Sequence, residues 1–239
     1  MRGLPMAWAE TICMNPPLSI VMPVLNESAR LDAALRALAA WRQQGHEIIV
    51  CDGGSSDGSA ALCTGLADQV LLTAPGRARQ MNVGAAVARS PVLLFLHADT
   101  TLPGDAPAAI GRALAGGAAW GRFDVHIDGR AWMLPVIAGL MNRRSRWSGI
   151  ATGDQALFVR REVFNAVGGF PDQPLMEDIE LSRRLLQAGH APACLRQRVR
   201  TSGRRWDNRG VWRTILLMWR LRWLYWCGTP ADTLARRYR

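Results

Sequence analysis

Short apolar runs recur along the first hundred positions, and stretches with helical patterning separate them. LSIVMPV at 18–24 is nearly continuous in apolar residues, as a strand buried on both faces requires. HEIIVCD (46–52), the short QVLLT (69–73) and PVLLFLHAD (91–99) read as three further strands. Between them, residues 27–43 carry Leu31, Leu35 and Leu38 at helical spacing. Asp57 offers an N-cap to a helix that ends near Gly65, and residues 77–88 and 105–115 read as two more helices. The pattern predicts four βα units, hence a doubly wound, largely parallel α/β sheet with helices on both faces.

After residue 117 the rhythm changes. AAWGRFDVHI (118–127) alternates like a sheet strand, 131–147 reads as a helix, and 156–170 as a strand running into a short helix. Met176 to Gln187 reads as a helix that opens on an acid pair. Residues 210–227, GVWRTILLMWRLRWLYWC, are aromatic and arginine-rich throughout. No internal repeat or interdomain linker interrupts the chain. The expected division is an extension over 1–17, one domain over 18–203 and a basic, aromatic, helical segment over 204–239.

Length and composition fit one α/β domain with a modest appendage: 239 residues, 49% of them hydrophobic. Charge adds more. All 29 basic residues are Arg, and the formal net charge is +10. Residues 1–182 hold 15 Arg against 17 acids, whereas 183–239 hold 14 Arg against 2. A near-neutral body therefore carries a cationic end, the asymmetry expected of a chain that meets a polyanion or an anionic surface. The five cysteines (Cys13, Cys51, Cys63, Cys194 and Cys227) match no zinc or redox spacing, which fits a reducing, cytoplasmic setting. The first 17 residues lack a long apolar core, so no signal peptide is expected, and Met14 is a plausible start.

Candidate chemistry lies where the strands end. Glu27, Asp52, Asp99, Asp154 and the Glu177-Asp178 pair all follow apolar runs or open helices. Ligands of open α/β sheets bind beyond the carboxyl ends of the strands. Each acid also has a plain structural reading. Glu27, Glu177 and Asp178 suit helix N-termini through the macrodipole, Asp57 suits an N-cap, and Asp154 suits a polar loop. Arg77 and Arg79 open a helix on the same rim, where their forked donors suit diphosphate oxygens and Asn82 could assist.

Five motifs in order, PVLNE (23–27), DGGSSDGS (52–59), HAD (97–99), GDQALFVRR (153–161) and MEDIELSRRL (176–185), resemble the family-2 glycosyltransferases of GT-A fold. The resemblance covers roughly 18–190. GRARQMNVGA (76–85) and RRW (204–206) are similar to a bacterial subgroup of small single-domain members, some labelled arsenosugar-pathway transferases. The resemblance implies an inverting transferase that moves a sugar from a nucleotide-diphosphate donor, UDP-linked, to a hydroxyl acceptor. Pro23, Asn26, Glu27, Asp52, Arg77, Arg79 and Asn82 would bind the nucleotide. Asp99, with His97 as a further candidate, would hold Mg²⁺ or Mn²⁺, for which oxygen ligands are suited. The family carries Asp-x-Asp here; His97 replaces its first acid, which bears on which metal is used. Gly153, Asp154, Gln155, Arg205 and Trp206 would meet the acceptor or the diphosphate. Asp178 would be the general base, supported by Glu177. The acceptor could be a lipid carrier, a small metabolite or a glycan.

Other classes fare worse. A nucleic-acid binder would need a recognisable module, and none is visible. A dinucleotide enzyme would need G-x-G-x-x-G after the first strand, where this chain has PVLNES. A degenerate, non-catalytic member of the fold stays open. In the tail, apolar residues 214–219 are too few to span a bilayer, for which about 20 are needed. An amphipathic interfacial helix and a helix packed on the domain remain equal alternatives. The expected setting is cytoplasmic, with peripheral contact at the inner face of the plasma membrane.

Overall fold

The computed structural model describes residues 15–238. Cys13, Met14 and most of the expected N-terminal extension lie outside them. The strands are β1 (Leu18–Val24), β2 (Glu47–Asp52), β3 (Gln69–Leu72), β4 (Val92–Phe95), β5 (Thr100–Thr101), β6 (Trp120–Asp128), β7 (Leu157–Arg160) and β8 (Ala193–Ser202). The helices are α1 (Ser28–Ala37), α2 (Ala39–Gln43), α3 (Ser59–Leu62), α4 (Arg77–Val87), α5 (Ala106–Ala115), α6 (Leu134–Ser148), α7 (Arg161–Ala166), α8 (Glu177–Gln187), α9 (Arg204–Arg209), α10 (Val211–Trp226) and α11 (Ala231–Tyr238).

One sheet runs in the order β3-β2-β1-β4-β7-β6-β8-β5. β1 through β4 pair in parallel, as the alternation of strands and helices demands. β7 enters antiparallel between β4 and β6, so the sheet is mixed from there on, with β6 and β8 parallel and β5 antiparallel to β8. Every residue of β1, β2 and β4 is buried. Two core clusters lie on the sheet's two sides, one around Ile20, Leu94, Phe123 and Phe158, the other around Val21, Leu93, Trp120 and Leu181. A third, around Leu175, Ile179, Leu221 and Leu234, fastens α10 and α11 to α8.

Several elements are shorter than their patterns predict. The helix expected over 27–43 breaks at Leu38 into α1 and α2, both of which are anchored through buried Leu or Trp41. Asp57 accepts from the Ser59 N–H at 3.0 Å and also from the Ser28 N–H at 2.9 Å, so one carboxylate serves two helix starts. The strand expected over 91–99 ends at Phe95. The Leu96 N–H still reaches Val21 O at 3.0 Å, and the chain then turns, with Thr100 N–H donating to His97 O. That turn brings His97 and Asp99 to the carboxyl edge of the sheet. Cys51, Cys63, Cys194 and Cys227 are free thiols. Burial pushes Cys51 up to about 12 and Cys63 up to about 11, so neither is a nucleophile near neutrality.

Candidate active site

A cavity of about 710 Å³ opens beyond the ends of β1 and β4 and is closed by the start of α8 and by α9 and α10. Its size is that of a small-ligand pocket. Of the residues singled out in the sequence, Pro23, Glu27, Arg77, His97, Asp99, Gly153, Asp154, Asp178, Arg205 and Trp206 line it. Elements from both halves of the sheet and from the C-terminal segment therefore meet in one site.

The floor is ionic. Arg77 Nε lies 3.1 Å from Glu177 Oε1. Burial works against the Arg77 charge, but Glu177, Asp178, Asp154 and Asp99 outweigh it and raise its pKa above the ordinary value. Four carboxylates thus act on one arginine at the floor. Asp178 Oδ2 accepts from the Gly153 N–H at 2.8 Å, and Oδ1 from its neighbour's N–H, that of Ile179, at 2.7 Å. Burial and the Glu177 charge nonetheless push Asp178 up to about 6, against the pull of Arg77 and those two N–H groups. Asp154 moves the other way. Burial would raise it, but His97, Arg77 and Arg205 hold it below the usual carboxylate value. Two carboxylates on adjacent segments are thereby driven apart in acidity, the arrangement that separates a proton acceptor from a permanent anion.

His97 Nδ1 stands 3.7 Å from Asp154 Oδ1, beyond hydrogen-bond distance. A Cβ at Gly153 would fall 2.5 Å from His97 Cε1, so only glycine lets this loop close on the imidazole. Arg204 reaches toward Glu27 at 3.6 Å. The Arg205 guanidinium lies 4.2 Å above the Tyr238 ring, and burial lowers its pKa although Asp154 opposes this.

Six sequence-singled residues are placed behind or beside the cavity. Asp52 is 1% exposed, and its oxygens accept from Gly54 N–H, Ser55 N–H and the Ser55 hydroxyl, so it shapes its own loop. Asn26, at φ 54°, accepts from Ser56 N–H at 2.9 Å and ties the β1 loop to that one. Arg79 pairs with Asp172 at 3.0 Å on the surface. Asn82 exchanges two hydrogen bonds with the Phe170 backbone, at 2.8 and 3.0 Å. Gln155 is fully buried and completes a capping box with Thr152. Glu177 lies beneath the floor with one oxygen on Arg77; its Oε2 is buried and finds no partner among the described residues.

The motifs did not point to Gln80, Thr214, Met218, Arg222 or Tyr238, which also line the cavity. Gln80 Nε2 donates to Val24 O and Cys51 O, both at 2.7 Å, and so pins the ends of β1 and β2 to α4. Among the described residues no three His, Cys, Asp or Glu side chains gather into a ready metal cage. The donors that face the cavity, Asp99 and Asp154 with the His97 ring, still suit a Mg²⁺ or Mn²⁺ ion. Such ions are commonly held by one or two carboxylates plus the phosphates of a ligand.

Comparison with known proteins agrees with this architecture. The model of "Glycosyl transferase family 2" matches residues 19–170. The succinoglycan biosynthesis protein ExoA of Rhizobium meliloti is 30% identical over 192 residues, covering 72% of this chain and 58% of its own. A probable glycosyltransferase of Bacillus subtilis, YdaM, is 26% identical over 215 residues, 79% of this chain and 51% of its own. The chain thus spans little more than half the length of either relative. Among solved structures, the mannosyltransferase PcManGT from Pyrobaculum calidifontis, in complex with GDP-Man and Mn²⁺, superposes with a TM-score of 0.64 at 18% identity, over 87% of this chain and 61% of that one. Glucosyl-3-phosphoglycerate synthase from Mycobacterium tuberculosis, in complex with Mn²⁺, UDP and glucosyl-3-phosphoglycerate, gives a TM-score of 0.58 at 18% identity, over 83% of this chain and 76% of that one. With the family model covering most of the chain, and with the acids, the arginine and the strand ends arranged as described, this protein belongs to glycosyl transferase family 2 and has the GT-A fold.

Proposed function

We propose that this chain transfers a sugar from a nucleoside-diphosphate donor, UDP-linked, to a hydroxyl acceptor with inversion at the anomeric carbon. The observation that carries the reading is the convergence of Asp99, Asp154, Asp178, Arg77 and Arg205 on one cavity. Asp178 takes the acceptor proton. A hydroxyl is a poor nucleophile, and a carboxylate with a pKa near the working pH is an effective base. Arg77 and Arg205 face the charge that gathers on the departing diphosphate. Direct displacement by the acceptor hydroxyl, with Asp178 taking its proton, gives inversion. Asp99, with Asp154 and His97 beside it, would hold a divalent metal, which when bound supplies Lewis-acid neutralisation of the diphosphate. Glu27 and Pro23 flank the nucleoside end. Glu177 acts through Arg77 and Asp178 and touches no ligand itself. The acceptor is a lipid carrier, a small metabolite or a glycan. The work is done in the cytoplasm, peripheral to the inner face of the membrane.

The test is a thermal-shift panel of UDP, GDP, ADP and CMP, each with Mn²⁺ and with EDTA, followed by UDP-sugar turnover. Stabilisation by UDP that needs the metal supports both donor and cation, and Asp99→Ala should weaken it. A shift with GDP alone replaces the donor and keeps the chemistry. Asp178→Asn should abolish transfer while the nucleotide shift persists; undiminished turnover removes Asp178 as the base.

A further inference from the structure

α10 has two unlike faces. Thr214 and Leu221 are buried, and Thr214, Met218 and Arg222 line the cavity. On the other side Trp212, Leu216, Trp219, Trp223 and Trp226 are each at least 66% exposed. They recur every three or four residues and so form one stripe along the helix. α6 carries a second stripe. Trp132, just before it, and Val136, Leu140 and Trp147 along it are 51% to 83% exposed. The two stripes start at one corner of the molecule, because Asp207 of α9 accepts from the Arg130 and Ala131 N–H groups at 3.1 and 3.3 Å. Met133 and Ile215 both pack against the main core cluster.

The charge beside these stripes is of one sign. Arg213 and Arg220 are exposed on α10, which contains no acidic residue. On α6 the Arg143 guanidinium lies 5.7 Å from the Trp147 ring centre. Apolar patches of this extent mark a contact surface rather than ordinary exterior. A second copy of the chain is a poor occupant, since α10 and α6 would bring arginines and no carboxylate of their own to the contact. Indole rings flanked by arginine are the composition of a helix lying at a lipid headgroup layer, where the rings enter the interface and the guanidinium groups meet lipid phosphates. At 16 residues α10 is about 24 Å long, and no helix among the described residues is long and apolar enough to cross a membrane.

We propose that the exposed faces of α10 and α6 seat this protein on an anionic lipid bilayer. The surface and the lipid charge deepen the membrane half of the proposed function and do not depend on the transfer chemistry.

The experiment is co-sedimentation of the full chain with vesicles of phosphatidylcholine alone and with added phosphatidylglycerol, at low and high salt. Binding should be roughly tenfold or more stronger with the anionic lipid and should fall with salt. Trp219→Glu combined with Trp223→Glu should remove most of it while leaving the nucleotide thermal shift intact, which separates loss of the surface from loss of the site. Leu140→Glu on α6 gives an independent second variant. In the unaltered chain, brominated lipid should quench part of the tryptophan fluorescence. Equal binding to neutral and anionic vesicles overturns the charge assignment. Undiminished binding by both variants overturns the surface. A chain that ignores all vesicles and runs as a dimer shows that a second copy covers the face.

Discussion

Asp154 and Asp178 are held one residue's reach apart, since the amide next to Asp154 donates to Asp178, yet their acidities diverge. Asp178, the proposed base, must be deprotonated to act, and its pKa is raised to about 6. Turnover should therefore fall as pH drops through about 6, well above the ordinary aspartate range, and a kcat/KM profile reads this directly. An acid limb near 4 would mean that Asp178 is not the titrating group. Gln80 makes a different demand. Gln80→Leu would remove a hydrogen bond from each of two carbonyls, Cys51 O and Val24 O, the second of which still accepts from the Gly53 N–H at 2.9 Å, at about 1 kcal/mol each. A clear fall in Tm is the expected result. The acids of this site were legible at segment ends: Asp99 beyond β4, Asp154 before β7 and Asp178 at the start of α8, although Asp52, which ends β2, turned into its own loop. The arginines were only half legible. At about 100° per residue, Arg77 and Arg79 point some 200° apart, so a single helix cannot aim both at one cavity. Asn82 is turned about 140° from Arg77 by the same rule, whereas Gln80 is turned only about 60°. Periodicity could have made that choice once Arg77 was fixed; it could not say which of the two arginines faces in.

The four parallel βα units were legible as elements because their strands are buried on both faces and so read as apolar runs. The antiparallel insertion of β7 was not, since a four-residue strand gives no sign of its neighbour. α4 shows how an element sets the site. It lies so close to the sheet that a Cβ on Gly84 would come within 2.5 Å of Val21 Cγ1 and 2.8 Å of Cys51 Sγ. Gly84→Ala should force the helix outward, at about 1–3 kcal/mol of stability. Because Arg77 opens the same helix, the variant should lose nucleotide affinity as well as Tm. Ala86→Gly, exposed on the same helix, should lower Tm by helix propensity, about 1 kcal/mol, and so serves as the control.

On the scale of the whole molecule, a near-neutral catalytic body carries a cationic end built only from arginine. Guanidinium groups keep their proton throughout the accessible pH range. Vesicle binding should then persist between pH 8 and 5 while transfer fades, so the two activities can be told apart on one preparation. The tail was legible in composition; the packed-helix reading holds for one face, which meets α8 through Leu221, while the face that an interfacial helix would need stays exposed.

α10 is a shared wall, with the cavity on one side and the tryptophan stripe on the other. A rigid partition cannot favour one neighbour without adjusting to the other. If filling the cavity fixes the helix in the pose that lipid prefers, nucleotide must tighten the hold on the bilayer by the same factor that the bilayer tightens the hold on nucleotide, because binding linkage is reciprocal. The protein would then be most firmly moored when loaded and would loosen its mooring as the nucleoside diphosphate departs.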